Sequence, residues 1–422
     1  MRSICPARAR RILATATAVA VGLGLCLLTA CSATSTPGSG ESPGSAFTGL
    51  PAAPLLPRPA SCGRPTLAGA SGAWLPDWLD DPGRPSLIPG LSRRLRLLDF
   101  FWLGLGRGPE SIVQRPDNPA ASSLTTVLRA AATANPCALR FVTVADQRTP
   151  KTTMARILLD PQTRSRHVAA LAATMARYPQ ADGLTLDYEY ALPASRSDLD
   201  LYASVAGWHG LTAGQEVARI ADGYTALVRG LALALHRQHR ALRVAVKPRA
   251  AGGSDLSDPA PLVYDYGELA KYADQIVLMA IDFHWAGSDP GPIATLADVE
   301  NALARVRAYQ IPEARLAVEL PAYGYDWTVD AAGRRLSGTE AASVTATSLA
   351  GEHWTTTGGS GGEASYEYTS LGHRHVVWFA GYALGSLAAS LRRLYGGIAC
   401  VAWAAGNTDP AGAALIWRGL GG

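Results

Sequence analysis

Excess charge is missing from this sequence once its first residues are set apart. The 422 residues carry 38 Lys and Arg against 34 Asp and Glu. Residues 1–31 hold four Arg and no acid, so the remainder is balanced at 34 against 34. A near-neutral domain offers no basic face to nucleic acid or to an anionic polymer, and none is expected as a partner. Cysteine is also scarce, with six residues at 5, 26, 31, 62, 137 and 400 and no histidine cluster beside any of them. Spacings this wide argue against a zinc site; no metal and no cofactor is expected. No glycine-rich phosphate loop follows the first apolar run, which disfavours a doubly wound nucleotide-binding sheet.

What is present begins with an export pattern. Arg2, Arg8, Arg10 and Arg11 precede an apolar run from Ile12 to Leu28, and "LLTAC" closes it. That order describes a signal peptide over residues 1–31, with a retained membrane helix as the plainer alternative. "LLTAC" resembles a bacterial lipobox, which implies lipidation at Cys31 and an anchor on the outer face of the cytoplasmic membrane. Residues 32–68 are rich in Ser, Pro, Gly and Ala and cannot bury enough apolar surface to offset their ordering entropy, so they read as a flexible tether. Of the cysteines left after Cys31, a Cys62–Cys137 disulfide is one option, but with Cys400 the pairing stays open.

From about residue 69 to 422, short apolar or β-branched runs recur with helical stretches between them. They cover 72–78, 95–106, 138–146, 183–189, 242–250, 275–285, 314–327 and 396–403. The 3.6-residue apolar rhythm predicts helices over 164–178 and 298–310. Eight strands alternating with helices predict an α/β fold, a (β/α)8 TIM barrel with an insertion after strand 7.

A barrel builds its chemistry at the C-terminal ends of its strands. "DGLTLDYE" (182–189) ends the fourth run, and its alternation sends Thr185, Asp187 and Glu189 toward the mouth while Asp182 stays structural. "MAIDFHW" adds Asp282, His284 and Trp285, "PAYGYDW" adds Tyr323, Asp326 and Trp327, and "VAW" adds Trp403. Acids ringed by aromatics suit a sugar, whose C–H faces pack on rings while the acids handle protons and hydroxyls. His284 reads as a hydrogen-bonded wall residue.

"DGLTLDYE" resembles the active-site strand D-x-x-D-x-D-x-E of family-18 glycoside hydrolases. Residues 157–189, 264–294, 320–327, 375–403 and 99–106 are similar to stretches of the spore-germination and cortex-lytic N-acetylglucosaminidase branch. The resemblance implies hydrolysis of β-1,4-linked N-acetylglucosamine glycans, peptidoglycan or chitin-like, by substrate-assisted retaining catalysis. It implies Glu189 as general acid and base, Asp187 as the acceptor of the acetamido N–H, Trp403 as the subsite floor, and Asp282 and Tyr323 as sugar contacts. Trp285 and Tyr190 complete the expected substrate-binding set.

Two departures bear on activity. Thr185 replaces the middle aspartate, which leaves Asp187 without a like-charged neighbour and predicts no raised pKa there. Ile281 stands where the family has tyrosine, a loss comparable to an oxyanion-hole donor and worth roughly 10²–10³ in rate. Tyr190 or Tyr325 could supply a hydroxyl instead. A non-catalytic glycan-binding lipoprotein on the same barrel is therefore the alternative function, with a transporter's solute-binding lipoprotein third. Long loops over 191–215 and 328–373 predict lids or subsite walls, the second as a small extra lobe beside the cleft.

Overall fold

The computed structural model describes residues 57–63, 66–80, 93, 95–114, 121–249, 256–344, 355–356, 362–404 and 420. The expected signal peptide with Cys31, and most of the tether, lie outside the described residues. Eight strands run parallel: β1 (Ser71–Pro76), β2 (Leu97–Leu105), β4 (Leu139–Ala145), β5 (Gly183–Asp187), β6 (Ala241–Val246), β7 (Gln275–Met279), β8 (Leu316–Pro321) and β14 (Ala399–Trp403). Each pairs with the next, and β14 returns to β1, so the sheet closes into a barrel. All eight expected strands are present. β3 (Ile112–Gln114) adds an antiparallel flap on β2.

The helices pack outside because their apolar stripes face the sheet. Helix Pro161–Ala176 starts where Asp160 accepts from the backbone N–H of Gln162 and Thr163. Helix Ala213–His236 starts at a capping box between Thr212 and Gln215, and helix Leu296–Arg307 at one between Thr295 and Asp298. The expected lid over 191–215 contains a helix, Arg196–Ala206, whose Leu199 and Tyr202 are fully buried. Its apolar side chains draw it into the helical ring, and Trp208 packs on the core rather than over the cleft.

Inside the barrel the side chains form levels. A floor of Leu97, Phe141, Val277, Ala317 and Val401 is apolar. One step up each strand, Asp99 and Arg243 form an ion pair with neither side chain exposed. Thr143 and Thr185 donate their hydroxyls to Asp99, and Arg243 Nε donates to Gln275 at 2.9 Å. Removing one partner of such a buried pair costs about 3–5 kcal/mol, because the other is left charged and alone. Gly183 opens β5 because a Cβ there would lie 2.3 Å from the Ala241 carbonyl and 2.4 Å from the Phe141 ring.

The run over 314–327 divides in two. β8 stays in the barrel, while β9 (Gly324–Val329) leaves it for an antiparallel sheet with β10 (Ala342–Val344), β11 (Thr355–Thr356), β12 (Ala364–Ser370) and β13 (His373–Phe379). This is the expected extra lobe, but it reaches to Phe379 at one end and draws in β9 at the other. Buried Glu363 fastens it by accepting the backbone N–H groups of Ile293 and Ala294 at 2.8 and 2.7 Å. On the opposite face of the barrel, Cys62 is bonded to Cys137, and Arg58 pairs with Asp182 at 2.6 Å. The chain is thus tied down from Arg58 onward, within the stretch expected as tether. Cys400 is a buried free thiol.

Candidate active site

The C-terminal strand ends open into a cavity of about 490 Å³, within the range of small-ligand sites. Asp187 is the last residue of β5 and is 3% exposed, while Glu189 lies just beyond the strand. Tyr188 between them points the other way, fully buried, with its hydroxyl 2.8 Å from His167 Nε2. The period-two alternation therefore holds through the end of the strand. Buried Asp146, at the end of β4, accepts the backbone N–H groups of Glu189, Tyr190 and Ala191 at 3.0, 3.0 and 2.9 Å. That clamp fixes the turn on which Glu189 stands.

Lys247, just past β6, sits 3.4 Å from Glu189 Oε2. Burial pushes the Glu189 carboxyl up to about 7, Lys247 draws it down, and the charges of Asp146 and Asp282 push it up again. Asp187 departs from expectation. Burial first, then the charges of Glu189 and Asp146, hold its carboxyl well above the usual carboxylate range. Thr185 does remove one acid from the strand, but low dielectric and acids from neighbouring elements act in its place.

Asp282 follows β7 with φ of 56°, a left-handed conformation that aspartate tolerates better than most residues. It lines the cavity and receives the hydroxyls of Tyr323 and, at 3.1 Å, Tyr325. Burial raises its carboxyl and the two tyrosines oppose that. Tyr323 is buried behind Asp282, so it reaches the cavity through that carboxylate. Tyr325 is committed to Asp282 in the same way. Trp403 lines the cavity and is braced edge-on by Trp74, Phe101 and Trp78, with ring centroids 5.3, 5.0 and 6.1 Å away. Trp285 and Tyr190 also line it and are 54% and 53% exposed, as a rim open to a ligand requires. Ile281 lines the wall among Trp74, Met279 and Trp403, with no hydroxyl to offer there.

Other expected mouth residues fall elsewhere. Asp326 turns into the lobe, bonded to His375 Nδ1 at 2.9 Å and to the Tyr368 hydroxyl at 2.5 Å. Trp327 is fully buried in the lobe, its indole N–H donating to the Trp285 carbonyl at 3.3 Å. Both belong to β9, and the departure of that strand from the barrel carries them away. His284 bonds the Asp289 carbonyl at 3.1 Å, as a wall residue would. Three groups escape sequence reading: Lys247, Asp146 and Glu319, the last a buried acid on β8 that lines the cavity. Each is a lone polar residue within a strand or just past one, and only closure of the barrel brings them together. Among the described residues, no group of three or more His, Cys, Asp or Glu is placed to hold a metal ion.

Comparison with known proteins bears on this geometry. The model of the family described as glycosyl hydrolases family 18 matches residues 147–381, more than half of the chain. YdhD of Bacillus subtilis (strain 168), named as a putative sporulation-specific glycosylase, is 31% identical over 145 residues. That match covers 32% of this chain and 33% of YdhD, so the chain spans about a third of this curated relative. Among solved structures, a chitinase from Chromobacterium violaceum superposes with a TM-score of 0.63 at 19% identity, over 84% of this chain and all of the other. The Bacillus cereus spore cortex-lytic enzyme SleL superposes with a TM-score of 0.64 at 15% identity, over 83% of this chain and 73% of SleL. At these identities the superpositions speak for the barrel fold alone.

Proposed function

Because the chain belongs to glycosyl hydrolases family 18, we propose that it hydrolyses β-1,4-linked N-acetylglucosamine glycans, peptidoglycan or chitin-like, by substrate-assisted retaining catalysis. The observation that carries this reading is the pairing of Asp187 and Glu189 in one cavity, with Glu189 held at about 7. A carboxyl poised there is protonated often enough to act as an acid and ionised often enough to act as a base. In the reaction, Glu189 gives its proton to the glycosidic oxygen as the C1–O bond breaks. The substrate's own acetamido oxygen closes on C1, and Asp187 accepts the acetamido N–H. Water then attacks C1 from the face left by the leaving group, Glu189 takes the water's proton, and the acetamido group reopens. Trp403 packs on the sugar face, and Asp282 accepts a sugar hydroxyl.

Mass spectrometry of products from defined chitooligosaccharides and peptidoglycan fragments tests this, with wild type beside Glu189→Gln. The expected result is cleavage by wild type, a loss of at least about 10² in the variant, and unchanged binding. Equal turnover by both proteins sinks the reading. One observation favours a second reading, a glycan-binding lipoprotein without turnover: Ile281 leaves the cavity wall beside Trp403 apolar. Oligosaccharide binding with no cleavage by wild type would select it. In either case the protein works outside the cell, held to the membrane by lipid on Cys31.

A further inference from the structure

Two buried carboxyl oxygens around the cavity have no hydrogen-bond partner among the described residues: Oδ1 of Asp187 and Oε2 of Glu319. Both residues line the same cavity, and they are 3% and 1% exposed. A buried polar atom left without a partner costs roughly 1–3 kcal/mol, and at residues that line a cavity a ligand can supply the missing partner. Glu319 is opposite Met279 in the β7–β8 register and opposite Val401 in the β8–β14 register. Its immediate neighbours on the sheet are therefore apolar. Arg243, the cation that acts on it, pairs with Asp99 through Nη1, while its buried Nη2 has no hydrogen-bond partner among the described residues. Burial first, then the charges of Asp187, Glu189 and Asp282, push the Glu319 carboxyl well above the usual carboxylate range, while Arg243 opposes them weakly. Buried carboxyls that share a cavity do not all ionise together. An acid that keeps its proton is a hydrogen-bond donor, and a neutral carboxylic acid serves as such a donor in other enzyme sites.

We propose that Glu319 is a third catalytic carboxyl, whose Oε2 donates to the acetamido carbonyl oxygen of the sugar that Asp187 holds by its N–H. The two orphaned oxygens then form one acceptor and one donor, the complement of a secondary amide. This assignment rests on the hydrolase reading above and gives it a specificity element. The wall where Ile281 and Met279 offer no donor receives one from the neighbouring strand. Donation to the carbonyl orients it toward C1 and stabilises the charge spread over the amide as the ring closes.

The test uses the purified chain with Glu319→Leu and Glu319→Gln. Rates are measured on chitooligosaccharide, binding on N-acetylated and de-acetylated oligomers, and melting on every protein. The Leu variant has no donor at this position, and the expected loss is about 10²–10³-fold in kcat/KM, with loss of the wild-type preference for N-acetylated ligand. It melts no lower than wild type, because an unpartnered buried acid has been removed. The Gln variant, which keeps an N–H at the same point, recovers most of the lost rate. A Leu variant within threefold of wild type overturns the assignment. So does one that melts well below wild type, since Glu319 would then be a structural counter-ion. If wild type cleaves and the Leu variant matches it, only the role of Glu319 falls. If wild type does not cleave, whether or not it binds N-acetylated oligomers, the hydrolase reading falls and this assignment with it.

Discussion

Glu189 answers to two opposing influences, and the balance between them sets a pH profile. Burial raises its carboxyl to about 7, and Lys247 at 3.4 Å lowers it. The proposed reaction needs the protonated acid in its first step, so kcat/KM falls as pH rises through about 7. Lys247→Met removes the cation that lowers this pKa, so the alkaline limb moves up by about one unit or more. A pH profile of kcat/KM checks this; a limb that stays in place or moves down contradicts the electrostatic assignment. Asp187 and Glu189 were legible because a strand alternates with period two, and Tyr188 between them faces the helices as that period demands. The expectation that Asp187 titrates normally failed chiefly through burial, which local sequence does not carry. The charges around it come from β4 and from the turn after its own strand.

At the scale of elements, eight runs of apolar residues became eight barrel strands, since burial on both faces leaves a continuous apolar signature. The run over 314–327 misled at one point: Pro321 ends β8, and β9 joins another sheet with the same composition. Gly324 is where the chain makes that change. A Cβ at Gly324 would lie 2.0 Å from the Trp378 carbonyl, which β9 must approach to pair with β13. Gly324→Ala therefore forces the two strands apart, at about 1–3 kcal/mol. The lobe loosens while the barrel stays folded, and Asp282 loses the firm support of Tyr323 and Tyr325. Limited proteolysis with mass mapping should find new cuts between residues 325 and 379. A cleavage pattern equal to wild type would count against this account of the lobe.

For the whole molecule, Arg58 is tied to the barrel on the face away from the cavity. Arg58 bonds the Ala138 carbonyl and Asp182, which precede β4 and β5, whereas the cavity lies at the other strand ends. Cys31→Ala is expected to move the protein from the membrane pellet to the soluble fraction in a lipidating host; wild type recovered as soluble protein would refute the anchor. The order of strands and helices, the balance of charge, and the acids on β5 were determined by sequence alone, because periodicity and composition act over neighbouring residues. Tertiary structure decided the Cys62–Cys137 pairing, the Asp99–Arg243 level beneath the site, and the meeting of Lys247, Glu319 and Asp282 around Glu189. These residues lie on strands far apart in the chain, and only closure of the sheet makes them neighbours. Closure also buries the acids among them, and burial lets neighbouring charges shift one another more strongly.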